Sequence, residues 1–183
     1  MSASQTKSEA AGFLARLNGE SPRARILLEA GLLEDLLRRA ILKRLANNRS
    51  SRVLFGDENK VGLKVLAKYA HAFGLIGDQE LTALGKFADV RNKIAHSWRA
   101  DFTDSDIQKI SSQIQFIHVE GEDEMPPHQR AFARLDYLGL YLTEEFFNRF
   151  SSIPPTIFNG GIFLKKVVVN PATGTKTTKV EIP

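Results

Sequence analysis

The residues best equipped for chemistry lie in Asp89-Val90-Arg91-Asn92-Lys93-Ile94-Ala95-His96-Ser97-Trp98. This segment puts an arginine, an amide and a histidine near the end of one predicted helix. At about 100° per residue, Asn92 and His96 share a face one turn apart. From there the Asn92 amide can hydrogen-bond an imidazole nitrogen and fix its tautomer. Arg91 stands about 140° around the axis from His96, so it needs its full length, or a loosened helix end, to reach a shared groove. Histidine moves protons near neutral pH, and arginine stabilises charge growing on a phosphate. Together they could promote attack of an RNA 2′-hydroxyl on the neighbouring phosphate without a metal. One histidine does not easily act as both base and acid, so this chemistry calls for two copies of the motif across a symmetric dimer. The same residues also have a purely structural reading, in which a helix-end Arg-Asn and a half-buried His tie neighbouring helices together. Asp89 and Lys93, an acid four residues before a base, read as scaffold.

The elements that must position this segment are helical. Ser21-Pro22 is a helix start, with Ser as N-cap and Pro in the first turn. Ile26, Leu27, Ala30, Leu33, Leu37, Ala40, Ile41 and Leu45 then form a wide apolar stripe, ending near Asn47-Asn48. Asn, Arg and Ser predict a loop from there to Phe55-Gly56-Asp57. A helix over 59–73 is expected to bury Val61, Val65, Leu66, Tyr69 and Phe73, with Gly74 ending it. Asp78 reads as the N-cap of the motif helix, whose inner face would hold Leu81, Leu84, Phe87, Ala88, Ile94 and Ala95. Thr103, three residues before Asp106, carries a capping signal. Ile107, Ile110, Ile114 and Ile117 predict the next helix, with a strand end as the alternative. The last long helix is expected over 128–150, with Phe132, Leu135, Leu138, Leu142, Phe146 and Phe150 on its stripe. Earlier in the chain, residues 8–17 suit a short amphipathic helix with Phe13, Leu14 and Leu17 on one side.

After Phe150 the pattern changes. Residues 151–161 contain Pro154-Pro155 and Gly160-Gly161 and read as a linker. Residues 162–169 and 175–182 are rich in β-branched types and flank Asn170-Pro171-Ala172-Thr173-Gly174, a hairpin loop signal. The expected architecture is all-α: a bundle of five or six helices with a small C-terminal β-hairpin arm. Residues 1–19 form an N-terminal segment, 20–150 the helical domain, and 151–183 the linker and hairpin. An isolated hairpin is marginal in water, so the arm is expected to pack on its own bundle or exchange with a partner subunit.

With 183 residues, 43% hydrophobic and 25% charged, the composition is that of an ordinary globular domain. There are no cysteines, which excludes disulfides, thiolate metal sites and cysteine nucleophiles. The four histidines include no pair at a metal-ligand spacing, and no cofactor is expected. The first residues lack a basic start followed by an apolar run, and no stretch reaches the roughly 20 apolar residues of a membrane span. The expected location is the cytoplasm, away from membranes. The formal net charge is +4, of which +3 falls in residues 151–183. Residues 21–52 carry eight basic side chains against three acidic ones. Arg38, Arg39, Lys43 and Arg44, with Lys165 and Lys166 of the arm, are the candidate contacts to nucleic acid or a protein partner. A solvated helix face is the plainer reading of this stripe.

Other signals are weaker. Gly56 and Gly62 do not bound a phosphate loop, since no Lys-Ser/Thr ending follows and no strand precedes. There is no Gly-x-Ser-x-Gly elbow. Glu29 and Glu34 could face a groove beside Arg91, although solvated helix acids are commoner. His71 reads as structural, His118 and His128 carry no signal, and Trp98 reads as a packing anchor. No helix after Gly74 is basic enough for a helix-turn-helix.

Arg91-Asn92-x-x-Ala95-His96 also matches the Arg, polar residue, then His pattern of the HEPN superfamily, and the chain resembles it. More closely, it resembles the mannitol operon repressor family, itself similar to HEPN proteins in helical build. The carrying stretches are Leu32-Leu33-Glu34-Asp35-Leu36-Leu37-Arg38, Phe55-Gly56, and Ala70-His71-Ala72-Phe73-Gly74-Leu75-Ile76. They continue through Arg91 to Ser97 and Phe102-Thr103-Asp104-Ser105-Asp106-Ile107. The resemblance covers roughly residues 20–150 and leaves out the hairpin arm. It implies a HEPN-like bundle, a homodimer, and a non-enzymatic transcriptional regulator acting through protein partners. Several HEPN proteins are metal-independent endoribonucleases of toxin or defence systems. On that alternative, His96 would be the acid/base, Arg91 the phosphate binder and Asn92 the orienting group.

Overall fold

The structure, a computed structural model, describes residues 12, 13, 15–45, 48–56, 61–115, 117–151 and 153, and the backbone of 165–169 and 176–180. Six α-helices come after residues 12–17: α1 Pro22–Arg44, α2 Arg49–Phe55, α3 Leu63–Ala72, α4 Asp78–His96, α5 Ser105–Ser112 and α6 Pro127–Ser151. A short 3-10 turn, Glu122–Glu124, precedes α6. Beyond it, β1 Lys165–Val169 pairs antiparallel with β2 Lys176–Val180, placing Lys165 opposite Val180 and Val167 opposite Thr178. Leu14, the linker over 154–160 and the loop over 170–174 lie outside the described residues, as do the side chains of both strands.

The first long helix is the centre of the bundle. Ser21 caps α1, its hydroxyl accepting from the Ala24 N–H, and Pro22 fills the first helical position. The α1 stripe Ile26, Ala30, Leu33, Leu37, Ala40 and Ile41 is fully buried. It packs along α6 and against α3, α4 and α2, so one helix face closes most of the core. The α6 stripe Leu135, Leu138, Leu142 and Phe146 is buried opposite it.

Five expectations about the elements are corrected. Residues 49–55 form helix α2 rather than a loop. The Asn48 side chain accepts from the Ser51 N–H, so the polar cluster is a cap, and Phe55 is buried at the helix end. The N-cap of α4 is Gly77, not Asp78; Glu80 accepts from the Gly77 N–H at 2.8 Å. Asp104, not Thr103, caps α5, while Thr103 donates its N–H and hydroxyl to Asp101. That helix ends at Ser112, short of Ile114 and Ile117, because the Ser111 and Ser112 hydroxyls donate to the Gln108 and Lys109 carbonyls and compete with its continuation.

The correction with most consequence is on α3. Its buried face is Leu63, Leu66, Ala67 and Ala70. Val65, Tyr69 and Phe73, expected inside, are 45%, 44% and 39% exposed. Both sets repeat at helical spacing. The set containing two alanines faces inward, because small side chains let α3 approach α1 closely. Gly74 ends the helix as expected, at φ +66°, with its N–H to the His71 carbonyl and the Leu75 N–H to the Ala70 carbonyl.

Candidate functional site

The Arg91–His96 segment forms the last turn and a half of α4. Arg23 of α1 fixes the turn after it. The Arg23 guanidinium donates to the carbonyls of Ile94 at 2.5 Å, Trp98 at 3.1 Å and Ala100 at 3.2 Å. Those carbonyls would otherwise lack partners at a helix end. The chain beyond His96 is therefore tied down by a charged donor from another helix.

Within the segment, the three candidate residues are not gathered. Arg91 is half-buried, and its Nη1 donates to Asn92 Oδ1 at 3.0 Å. Its Nη2 lies 3.6 Å from Glu34 Oε1. The same Glu34 oxygen accepts from the Leu63 N–H at 3.0 Å, at the start of α3. Arg91 thus belongs to a junction of α1, α3 and α4. Its Nε is buried without a hydrogen-bond partner. Asn92 and His96 are exposed on the outer face. Asn92 Oδ1 accepts from Arg91, and the expected Asn92–His96 hydrogen bond does not form. Glu34 does stand beside Arg91, as the sequence allowed. Asp89 takes Lys64 at 2.8 Å instead of Lys93, and Lys93 takes Asp104 at 3.1 Å and Asp106 at 2.5 Å. These bonds raise the Lys93 ammonium above its usual value, with Asp106 and then Asp104 as the main causes.

The basic stripe of α1 is largely spent within the chain. Arg38 donates to the Gly56 carbonyl at 3.0 Å and the Val61 carbonyl at 3.4 Å, tying α1 to the end of α2 and the approach to α3. Lys43 donates to the Phe150 carbonyl at 2.8 Å, at the end of α6. Arg39 pairs with Asp35 one turn away. Arg25 makes a two-pronged pair with Asp136, both contacts at 2.7 Å. Arg44 is exposed. Lys165 and Lys166 lie on β1, and their side chains fall outside the described residues. Trp98 is not a packing anchor: it is 81% exposed, with the Arg99 guanidinium 4.8 Å from its ring centroid. His71 bridges the α3–α4 turn to Asp78 at 2.8 Å.

The most unusual ionisable group is Glu29, and both readings the sequence offered for it, a groove acid beside Arg91 or a solvated helix acid, are corrected. Glu29 is completely buried between α1 and α6, and neither carboxyl oxygen has a hydrogen-bond donor. It is pressed against the α6 backbone at Gly139, where a Cβ would lie 2.8 Å from the Glu29 carboxyl carbon. Its pKa is pushed up to about 10. Burial is the main cause, followed by the charge of Asp136 and a hydrogen bond that the protonated acid gives Asp136, against a lowering by Arg25. At neutral pH the side chain is a neutral acid. The available signal was positional: Glu29 lies three residues after Ile26 and four before Leu33, on the apolar stripe itself.

Two surface grooves, of about 370 and 400 Å³, are lined by residues such as Thr82, Lys86 and Gln113, and Lys109, Arg130 and Arg134; neither includes Arg91 or His96. Among the described residues, no group of three or more His, Asp or Glu side chains is placed to hold a metal ion, and no helix is long and apolar enough to cross a membrane. Compared with known families, curated proteins and solved structures, the chain matches none.

Proposed function

We propose that this protein is a non-enzymatic regulator that acts by binding a protein partner, with a HEPN-like bundle similar to that of the mannitol operon repressor family. The observation that carries this reading is the dispersal of the motif. Arg91 is engaged by Glu34 and Asn92, while His96 stands exposed with no hydrogen bond from Asn92. A general acid–base needs an orienting partner and a phosphate-binding group within reach of one substrate. Support for a protein partner rather than nucleic acid comes from the basic stripe, since Arg23, Arg25, Arg38 and Lys43, all partly buried, are committed to this chain's own carbonyls and carboxylates. A cation already bound inside the protein has little to offer a phosphate. The regulator works in the cytoplasm as a homodimer, and the C-terminal hairpin arm is an accessory to the bundle, packed on it or exchanged between subunits.

The second reading, a metal-independent endoribonuclease, is favoured by one observation: His96 is open to solvent beside a turn that Arg23 rigidifies. A dimer could then bring a second motif opposite it. The two readings separate in cells. RNA profiles of cells lacking the protein should be restored by wild type and by His96→Ala alike. Failure of a folded His96→Ala variant to restore them would overturn the regulator reading.

A further inference from the structure

Among the described residues, the outward face of α3 is an apolar surface that the helices around it leave exposed. At about 100° per residue, Val65, Tyr69 and Phe73 form a single stripe spanning about 80° of the helix circumference. Each is at least 39% exposed. The buried stripe of Leu63, Leu66, Ala67 and Ala70 occupies the other side, so α3 carries two apolar faces and the fold uses one. A continuous exposed apolar stripe of this kind marks an interaction site more often than chance exposure does. The stripe is also held rigid. The Phe55 ring meets the Tyr69 ring edge-on at 5.0 Å and joins α2 to it. Gly74 and the Leu75 N–H lock the helix end beneath Phe73.

Among the described residues, the charges on the two helices that carry the stripe and the Phe55 ring have one sign. Lys68 lies along one edge of α3, about 60° from Val65. Arg52 lies one turn before Phe55 on α2. Both are exposed, as is Arg49. Neither α2 nor α3 contains an acidic residue. Lys64, the remaining lysine of α3, is neutralised by Asp89. An apolar ridge with a one-sided basic edge is complementary to an amphipathic helix that carries acids along one edge.

We infer that the α2–α3 face is a docking site for an acidic amphipathic helix of a partner protein, with Val65, Tyr69 and Phe73 as its apolar contacts and Arg52 and Lys68 as its charged edge. This rests on the reading of the protein as a partner-binding regulator and names the partner's chemistry. The chain's own tail is a poorer occupant, because residues 151–183 carry a net +3 and would meet the basic edge with like charge.

The test uses the full chain and a fluorescein-labelled 18-residue peptide. The peptide has Leu at helical i, i+3, i+4, i+7 spacing and Glu along one edge. Fluorescence anisotropy should show saturable binding that weakens with added salt. The same composition in scrambled order should bind at least tenfold more weakly, as should a version with Lys in place of Glu. Tyr69→Ser with Phe73→Ser should cost at least tenfold in affinity. Lys68→Glu should weaken the Glu peptide and improve the Lys peptide. All three positions are exposed, so each variant should stay folded, with the lost Phe55–Tyr69 ring contact lowering the melting temperature only of variants carrying Tyr69→Ser. Equal binding of ordered and scrambled peptides, or binding unaffected by the Tyr69 and Phe73 changes, would overturn the inference. Sedimentation showing that Tyr69→Ser and Phe73→Ser break a self-association would overturn it too, assigning the face to a second copy. Cleavage of RNA by the protein would strike the regulator reading and leave this surface to stand or fall on the peptide data.

Discussion

Replacing Glu29 by Gln should stabilise the protein, and by more as pH rises. In the folded chain the Glu29 acid is buried without a donor and titrates near 10, whereas its ordinary value is 4.5. The sign comes from proton linkage. A carboxyl with a raised folded pKa keeps its proton when folded and releases it on unfolding. Its contribution is greatest below about pH 4.5 and is lost steadily as pH rises toward 10. The slope approaches 1.4 kcal/mol per pH unit, so about 3 kcal/mol is lost between pH 5 and pH 7. Against a typical net stability of about 5–15 kcal/mol, that is a large fraction. Glutamine keeps the shape, does not titrate, and gives Asp136 an N–H in place of the acid's proton. Urea unfolding at pH 5, 7 and 9 measures the difference directly. Wild type should lose stability across the series, and Glu29→Gln should gain on it at each step. The carboxylates with lowered pKa, Asp101, Asp104 and Glu122, titrate below this window and do not confuse it. Parallel pH profiles for the two proteins would contradict this linkage and show that Glu29 reaches water or a donor.

Gly139→Ala should cost about 1–3 kcal/mol, as overpacking does, because its methyl group meets the Glu29 carboxyl; combining it with Glu29→Ala should recover most of that loss in thermal melts. Arg23→Ala should cost about 2–3 kcal/mol by leaving helix-end carbonyls without a charged donor, and hydrogen exchange should speed up over residues 94–100. His96→Ala, on an exposed side chain, should change stability by no more than about 0.5 kcal/mol. On the acid side, Arg134 holds the Glu122 carboxyl below its usual range. That pair therefore contributes above pH 4.5 and fades as pH falls, so Glu122→Gln should flatten the acid limb of the stability curve.

The long helices were plain in the sequence, because caps and stripes agree there. Ser21-Pro22 and the Ile26-to-Ile41 stripe defined α1, and the Leu135-to-Phe146 stripe defined α6. The inner face of α3 was misplaced because Val61, Val65, Tyr69 and Phe73 satisfy the helical period as well as Leu63, Leu66, Ala67 and Ala70 do. Only the close approach to α1 chooses between them, and that is a tertiary fact. The charged pairs failed for a related reason. Asp89 and Lys93 are ideal neighbours on an isolated helix, but each found a partner on another element. The motif itself was easy to read, yet its geometry was not: Arg91 turns inward to Glu34, a residue 57 positions earlier in the chain. Glu29 was read as a groove or solvated acid because an acid on an apolar stripe is assumed to sit at its edge. Gly139 in the middle of α6 was its counterpart, and the two are informative only as a pair.

The regulator reading meets its sharpest test when the purified full chain is incubated with a broad set of RNAs in chelator, alongside Arg91→Ala and His96→Ala. Intact RNA is expected in every lane, with Arg91→Ala melting earlier than wild type and His96→Ala unchanged. Cleavage by wild type alone, leaving 2′,3′-cyclic phosphate ends, would contradict that reading and make Arg91 and His96 an active site.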